Sequence, residues 1–129
     1  MRVIEPSAEL EKWREGVLTS MRISAVVGSH QLCIFEQLCQ PGLGAPMHAH
    51  TVEEILEVIE GQAEIRIEDE VMSVLPNQSV IVPAGSRHGF TNSGAGTLKV
   101  RATLASPVFE ASYDDSEEVK RRYSPDAPP

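Results

Sequence analysis

Met21, Ile23 and Ala25 alternate with Arg22 and Ser24, the period-two pattern of a half-buried strand. A turn at Gly28-Ser29 follows, and Leu32 to Leu38 reads as a second strand, closed by Pro41-Gly42. Glu54 to Ile59 carries β-branched Ile55, Val58 and Ile59 and ends at Gly61. Ala63, Ile65 and Ile67 then alternate with Glu64, Arg66 and Glu68, and Asp69-Glu70 predicts a hairpin turn into Val71 to Leu75. After a turn at Pro76-Asn77, Val80, Ile81 and Val82 form a continuous apolar run, as for a strand covered on both faces. Pro83 and Gly85 end it. Beyond Asn92-Ser93-Gly94, Leu98, Val100, Ala102 and Leu104 alternate with Lys99, Arg101 and Thr103. Many short strands at close spacing predict an all-β sandwich or barrel.

Helical signals are confined to the ends. Ser7 predicts the cap of a short helix ending near Gly16. Ser116 predicts another, with Glu117 and Glu118 in its first turn and Lys120, Arg121 and Arg122 in its last, the order a helix dipole favours. The expected organisation is an N-terminal arm over residues 1–19, a barrel over 20–107 and a tail over 108–129. Pro125, Pro128 and Pro129 close the tail, and its last few residues are expected to be disordered.

The 129 residues suit one domain, and 41% hydrophobic with 23% charged residues is ordinary globular composition. A formal net charge of −8 disfavours nucleic acid as a partner, because that role needs a basic footprint. No apolar run reaches the roughly 20 residues that span a bilayer, so no membrane partner is expected. Arg2, Glu5, Glu9 and Glu11 leave no apolar core for a secretory signal. Cys33 and Cys39 lie six apart in an extended segment, which holds them beyond bridging distance. Both read as reduced, buried thiols, and the expected location is cytoplasmic.

His48 and His50 are two apart, so a strand would aim both imidazoles to one side. Glu54 has the same parity. His88 is distant in sequence, follows a turn, and could close the set from another strand. Three imidazoles and one carboxylate form a ligand set for first-row transition metals. A His-x-His pair also arises by chance, and spacing alone leaves a metal site and a chance cluster both open.

Residues 42–61 read Gly42, five residues, His48-x-His50, three residues, Glu54, six residues, Gly61. Residues 83–92 read Pro83-x-Gly85, two residues, His88, three residues, Asn92. These segments resemble the first motif and the later part of the second motif of the cupin superfamily, here as a small single-domain cupin. The flanking strands extend the resemblance over about residues 20–107. One departure stands at Asn77, where the second motif opens with Gly. Asn is the next-best residue for a left-handed turn, so the turn is expected to survive.

The resemblance implies a double-stranded β-helix, or jelly-roll barrel. It implies one divalent transition metal ion (Fe, Mn, Ni, Zn, Co or Cu) held by residues matching His48, His50, Glu54 and His88. Phe90 shares parity with His88, and Met47, Leu56 and Phe90 are the expected substrate-pocket residues. Barrels of this family commonly pair, and Trp13 in the arm reads as an anchor onto the barrel or a neighbouring subunit. A homodimer is therefore expected, with the arm or an edge strand in its interface. His30, at a turn, is expected to be solvated. The implied function is a metal-dependent enzyme on a small organic molecule. The barrel segments offer no extra acid or base, which favours dioxygenase-like chemistry over isomerase or lyase chemistry. The other reading is a non-catalytic module that binds or senses a small molecule.

Overall fold

The computed structural model describes residues 1–117 and 119–125, which form twelve strands and one helical turn. The strands are β1 (Glu11–Arg14), β2 (Val17–Ile23), β3 (Cys33–Cys39), β4 (Gly44–Ala49), β5 (Glu54–Glu60) and β6 (Ala63–Ile67). They continue with β7 (Glu70–Val74), β8 (Ser79–Val82), β9 (His88–Asn92), β10 (Leu98–Leu104), β11 (Phe109–Tyr113) and β12 (Val119–Arg122). Two six-stranded antiparallel sheets result, in the orders β1-β2-β3-β10-β5-β8 and β12-β11-β4-β9-β6-β7. Chain neighbours such as β3 and β4 lie in different sheets, and the two sheets face each other as a jelly roll.

The alternation of β10 explains its central place. Leu98, Val100, Ala102 and Leu104 are buried, while Lys99, Arg101 and Thr103 face outward. The inward residues meet Phe35, Leu56 and Val58 of their own sheet and Ala63, Ile65, Phe90 and Phe109 of the other. Cys33 and Cys39 are both free and buried, and burial pushes their thiols up to about 12 and about 11, so neither is a ready nucleophile. On the outer side of β3, Glu36 accepts hydrogen bonds from Arg22 and Arg101 and is itself buried beneath them.

The predicted turns are in place with one shift. The β6–β7 turn sits at Glu68-Asp69, one residue earlier than expected, with Glu68 left-handed at φ 51°. Asn77 adopts φ 70°, so the left-handed turn expected there is kept without glycine. Strand β2 ends at Ile23, short of the expected Ala25, because Ser24 caps a 3-10 turn over Ala25–Val27 by accepting from the Val26 N–H.

Three expectations are corrected. The segment from Ser7 to Gly16 is no helix: Gly16, at φ 71°, closes a hairpin that pairs β1 with β2. Hairpin geometry wins because it carries Trp13 onto Phe109 and Phe35, at centroid distances of 4.7 and 5.3 Å. The second helix, predicted from Ser116, gives way to strand β12, whose Arg122 pairs in register with Phe109. Pairing wins there because the Arg122 guanidinium lies 4.2 Å over the Trp13 ring. Glu118, placed in that helix, lies outside the described residues, as do residues 126–129, where disorder was expected. Finally, Val80 to Val82 is not covered on both faces. β8 is an edge strand, and its Ile81 is 64% exposed.

Two glycines set the spacing of the strands around the histidines. A Cβ on Gly44 would run into the Phe90 carbonyl, and one on Gly89 would lie 2.7 Å from the Ala45 carbonyl. The close approach coincides with a register shift between Ala45 and His48 in the β4–β9 pair. Beyond that shift His48 and His88 stand directly opposite each other.

Candidate metal centre

His48 lies on β4, His50 just after it, Glu54 opens β5 and His88 opens β9. The cluster thus bridges the sheets, with Glu54 contributed by one and His48 and His88 by the other. One ligand atom from each of the four residues lies within 4.8 Å of the others, and all four residues are buried.

The second nitrogen of each ring explains the orientation. Nδ1 of His48 lies 2.6 Å from the Pro46 carbonyl, that of His50 2.7 Å from the Glu110 carbonyl, and that of His88 2.9 Å from the Ser86 carbonyl. A carbonyl only accepts, so each Nδ1 carries the proton and donates it. In the neutral ring Nε2 is then a lone pair, and all three lone pairs converge on the Glu54 carboxylate. Nε2 of His88 is 2.8 Å from Glu54 Oε1, and Nε2 of His50 is 3.5 Å from Oε2. His50 Nε2 has no hydrogen-bond partner among the described residues although it is buried. Four acceptors aimed at one point in an apolar barrel repel one another unless a cation or protons sit between them. The donor set therefore fits a divalent metal, with the backbone carbonyls fixing the tautomers.

The electrostatics follow the same geometry. Burial, then the neighbouring His88, lowers His48 to about 3, so its ring stays neutral. Burial also disfavours a charged His50, but the Glu54 carboxylate and the Glu110 carbonyl outweigh it and raise the ring above its usual value. Burial alone would raise Glu54. Its contacts with His50 and His88 prevail and hold the carboxyl down at about 2.

Above the cluster opens a narrow cavity whose walls include Val17, Phe35, Leu56, Phe90, Ala102 and Phe109. Leu56 and Phe90 thus share the cavity with His48, Glu54 and His88. Met47 does not. It faces the other side of β4 and lines an outer depression with Glu64 and Arg66, since residues flanking an inward histidine point outward. His30 is exposed.

Tyr113, Arg14 and Trp13 also line the cavity, and the sequence reading did not place them there. Tyr113 pairs with His48 in register and stacks on its ring at 5.1 Å. The signal was available: Phe109, Ala111 and Tyr113 alternate with Glu110 and Ser112, a strand pattern inside what was expected to be a tail.

Comparison with known proteins agrees with this architecture. The protein KdgF from a Halomonas species has a similar fold, with TM-score 0.66, 17% identity, and coverage of 83% of this chain and 89% of that one. The polyketide cyclase RemF from Streptomyces resistomycificus gives TM-score 0.65 and 21% identity over 81% of this chain and 78% of that one. Oxalate decarboxylase from Lactobacillus farciminis, solved as a formate complex, gives TM-score 0.73 and 16% identity over 87% of this chain but 34% of its own length. No curated protein matches the sequence. At these identities the structural likeness speaks for the fold alone. The sequence itself matches the family described as Cupin domain over residues 35–104, more than half of its length, and the chain belongs to the cupin superfamily.

Proposed function

We propose that the protein is a metal-dependent enzyme acting on a small organic molecule, with dioxygenase-like chemistry favoured. The observation that carries this reading is the convergence of three Nε2 lone pairs and a carboxylate at the foot of a narrow cavity. His48, His50, Glu54 and His88 would hold one divalent transition metal ion. Such an ion supplies Lewis acidity and, for a redox-active metal, the means to activate dioxygen. The chain's own residues do the rest. The carbonyls of Pro46, Glu110 and Ser86 keep the rings aimed, Leu56 and Phe90 exclude water from the substrate, and Glu54 offsets charge at the centre. Among the described residues the cavity adds only Tyr113 and the permanently charged Arg14 to the ionisable groups of the cluster, and burial raises the Tyr113 hydroxyl above its usual value, against weaker lowering by Arg14. That shortage supports chemistry centred on the metal. The test is metal content per chain, followed by oxygen uptake over a panel of small organic compounds. A metal-loaded protein that binds a panel member, consumes no oxygen and leaves the compound chemically unchanged would favour the sensing module.

Acid should strip the site. Metal binding needs unprotonated rings, and His50 is the ring whose protonated form is favoured in the metal-free protein. Because that ring is held above its ordinary value by the Glu54 carboxylate, the proton competes with the metal from a higher pH than at an ordinary histidine. Retention is expected at about pH 7.5, with progressive release toward about pH 4–5. Metal content unchanged after prolonged dialysis against chelator at about pH 4 would contradict a site built on three histidines.

We place the protein in the cytoplasm as a homodimer. Two free, buried thiols support a reducing compartment, and exposed Ile81 on edge strand β8 supports pairing there. Trp13 is engaged within its own barrel and is not free for a partner. Light scattering at micromolar concentration should report twice the chain mass of 14.1 kDa, and a monomer would remove the dimer.

A further inference from the structure

Four arginines are half-buried: Arg14, Arg22, Arg101 and Arg122. Arg22 and Arg101 face Glu36, and Arg122 lies 4.0 Å from Glu11. Arg14 has no carboxylate within ion-pair distance among the described residues. Its guanidinium instead lies 5.1 Å over the Tyr113 ring, which in turn stacks on His48. A strand normally sends adjacent side chains to opposite faces. Here the β1–β2 register shifts between Lys12 and Arg14, and both Trp13 and Arg14 line the cavity over the histidine cluster. The Tyr113 ring offsets part of the cost of withdrawing this cation from water, and the carboxylate of a ligand would offset the rest.

Charge arithmetic points the same way. Three neutral imidazoles, one carboxylate and a divalent ion leave one positive charge, and Arg14 adds a second. The chain as a whole carries −8, so an anion is drawn in only by these local charges. The walls beside Arg14 are the rings of Trp13, Phe35 and Phe109, and the space between them is narrow. The guanidinium fork matches the two oxygens of a carboxylate, and only a small, flat acid would suit so narrow a space.

Resting on the metal-centre reading, we propose that the substrate is a small carboxylic acid and that Arg14 binds its carboxylate beside the cluster. Arg14 is then the residue that sets specificity for charge, while the metal ligands set the chemistry.

Trp13 is the one tryptophan of the chain and lines the same cavity, so its fluorescence reports occupancy. Zinc-loaded wild-type protein and Arg14→Gln are titrated with acetate, oxalate and pyruvate, with pyruvamide as the neutral counterpart and inorganic phosphate as the other anion. A saturable change is expected with at least one carboxylate and none with pyruvamide. Arg14→Gln should weaken that binding about 10–100-fold, the loss expected for a charge-assisted pair, with zinc per chain unchanged. Equal binding by Arg14→Gln, equal binding of pyruvamide, tighter binding of phosphate, or no saturable carboxylate would overturn the proposal. Failure of the metal reading is seen separately, as wild-type protein that holds no zinc. The same titrations on metal-free protein then decide whether Arg14 recognises carboxylates without it.

Discussion

His88→Ala is expected to abolish tight metal binding while the barrel remains folded. His48, His50 and Glu54 lie close in sequence and could share a side of the chain by local accident, whereas His88 is 34 residues from Glu54. Only the pairing of β4 with β9 and the facing of the two sheets bring it within 2.8 Å of the carboxylate. Removing residues that merely orient ligands costs about 10–100-fold in metal affinity, and removing a ligand should cost at least that. The fold should survive because apolar burial holds it, and deleting one imidazole also relieves the crowding of lone pairs. Lys99→Ala, on the outer side of β10, is the control and should keep its metal. The readouts are elemental analysis per chain and circular dichroism. A folded His88→Ala protein that binds metal as tightly as the parent would refute the four-ligand site.

Phe109→Ala should have the largest effect on stability. Phe109 is 2% exposed and lies between Trp13 at 4.7 Å, Phe35 at 5.7 Å and the His50 ring at 5.4 Å. It joins the hairpin at the N-terminal end, the inner wall of one sheet and the metal cluster in one contact group. Replacing a buried phenylalanine by alanine costs about 3–5 kcal/mol, as lost transfer energy plus the cavity left behind. Urea unfolding followed by Trp13 fluorescence measures the loss, and the native emission should shift to longer wavelength as water reaches the indole. A change below about 1 kcal/mol would mean that the aromatic group is not a load shared between the sheets.

The parts of this structure legible in the sequence are those where one strand carries its own evidence. Leu98 to Leu104 shows full alternation, and β10 has those limits. Asn77 could be read as a stand-in for glycine because the left-handed conformation has few tenants. The four-residue cluster was legible through the spacing of His48, His50 and Glu54 together with the resemblance that added His88. What was not legible depends on contacts between distant segments. Glu11 to Arg14 has charges at helical spacing, and only the docking of Trp13 on Phe35 and Phe109 makes it a strand. The charge order around Ser116 suits a helix dipole, yet the open edge of β11 offered a full ladder of hydrogen bonds to Val119–Arg122. Ile81 looked like core because apolar runs do not say whether a strand is central or at an edge. Met47 was expected in the pocket, but it lines an outer depression, because the alternation along β4 sends it to the side opposite His48.

The four edge strands differ in how they would meet another chain during concentration or refolding. β1 and β12 carry Glu11, Lys12, Arg14, Lys120, Arg121 and Arg122, and charged side chains along an open edge obstruct the addition of a foreign strand. β8, with sequence SVIV, carries no charge, and β7 carries only Glu70 while exposing Val71 and Met72. Aggregation under stress should therefore begin at the β7 and β8 side of the molecule. A lysine placed at Ile81 would guard that side and raise solubility, and the same lysine would weaken any dimer formed through β8.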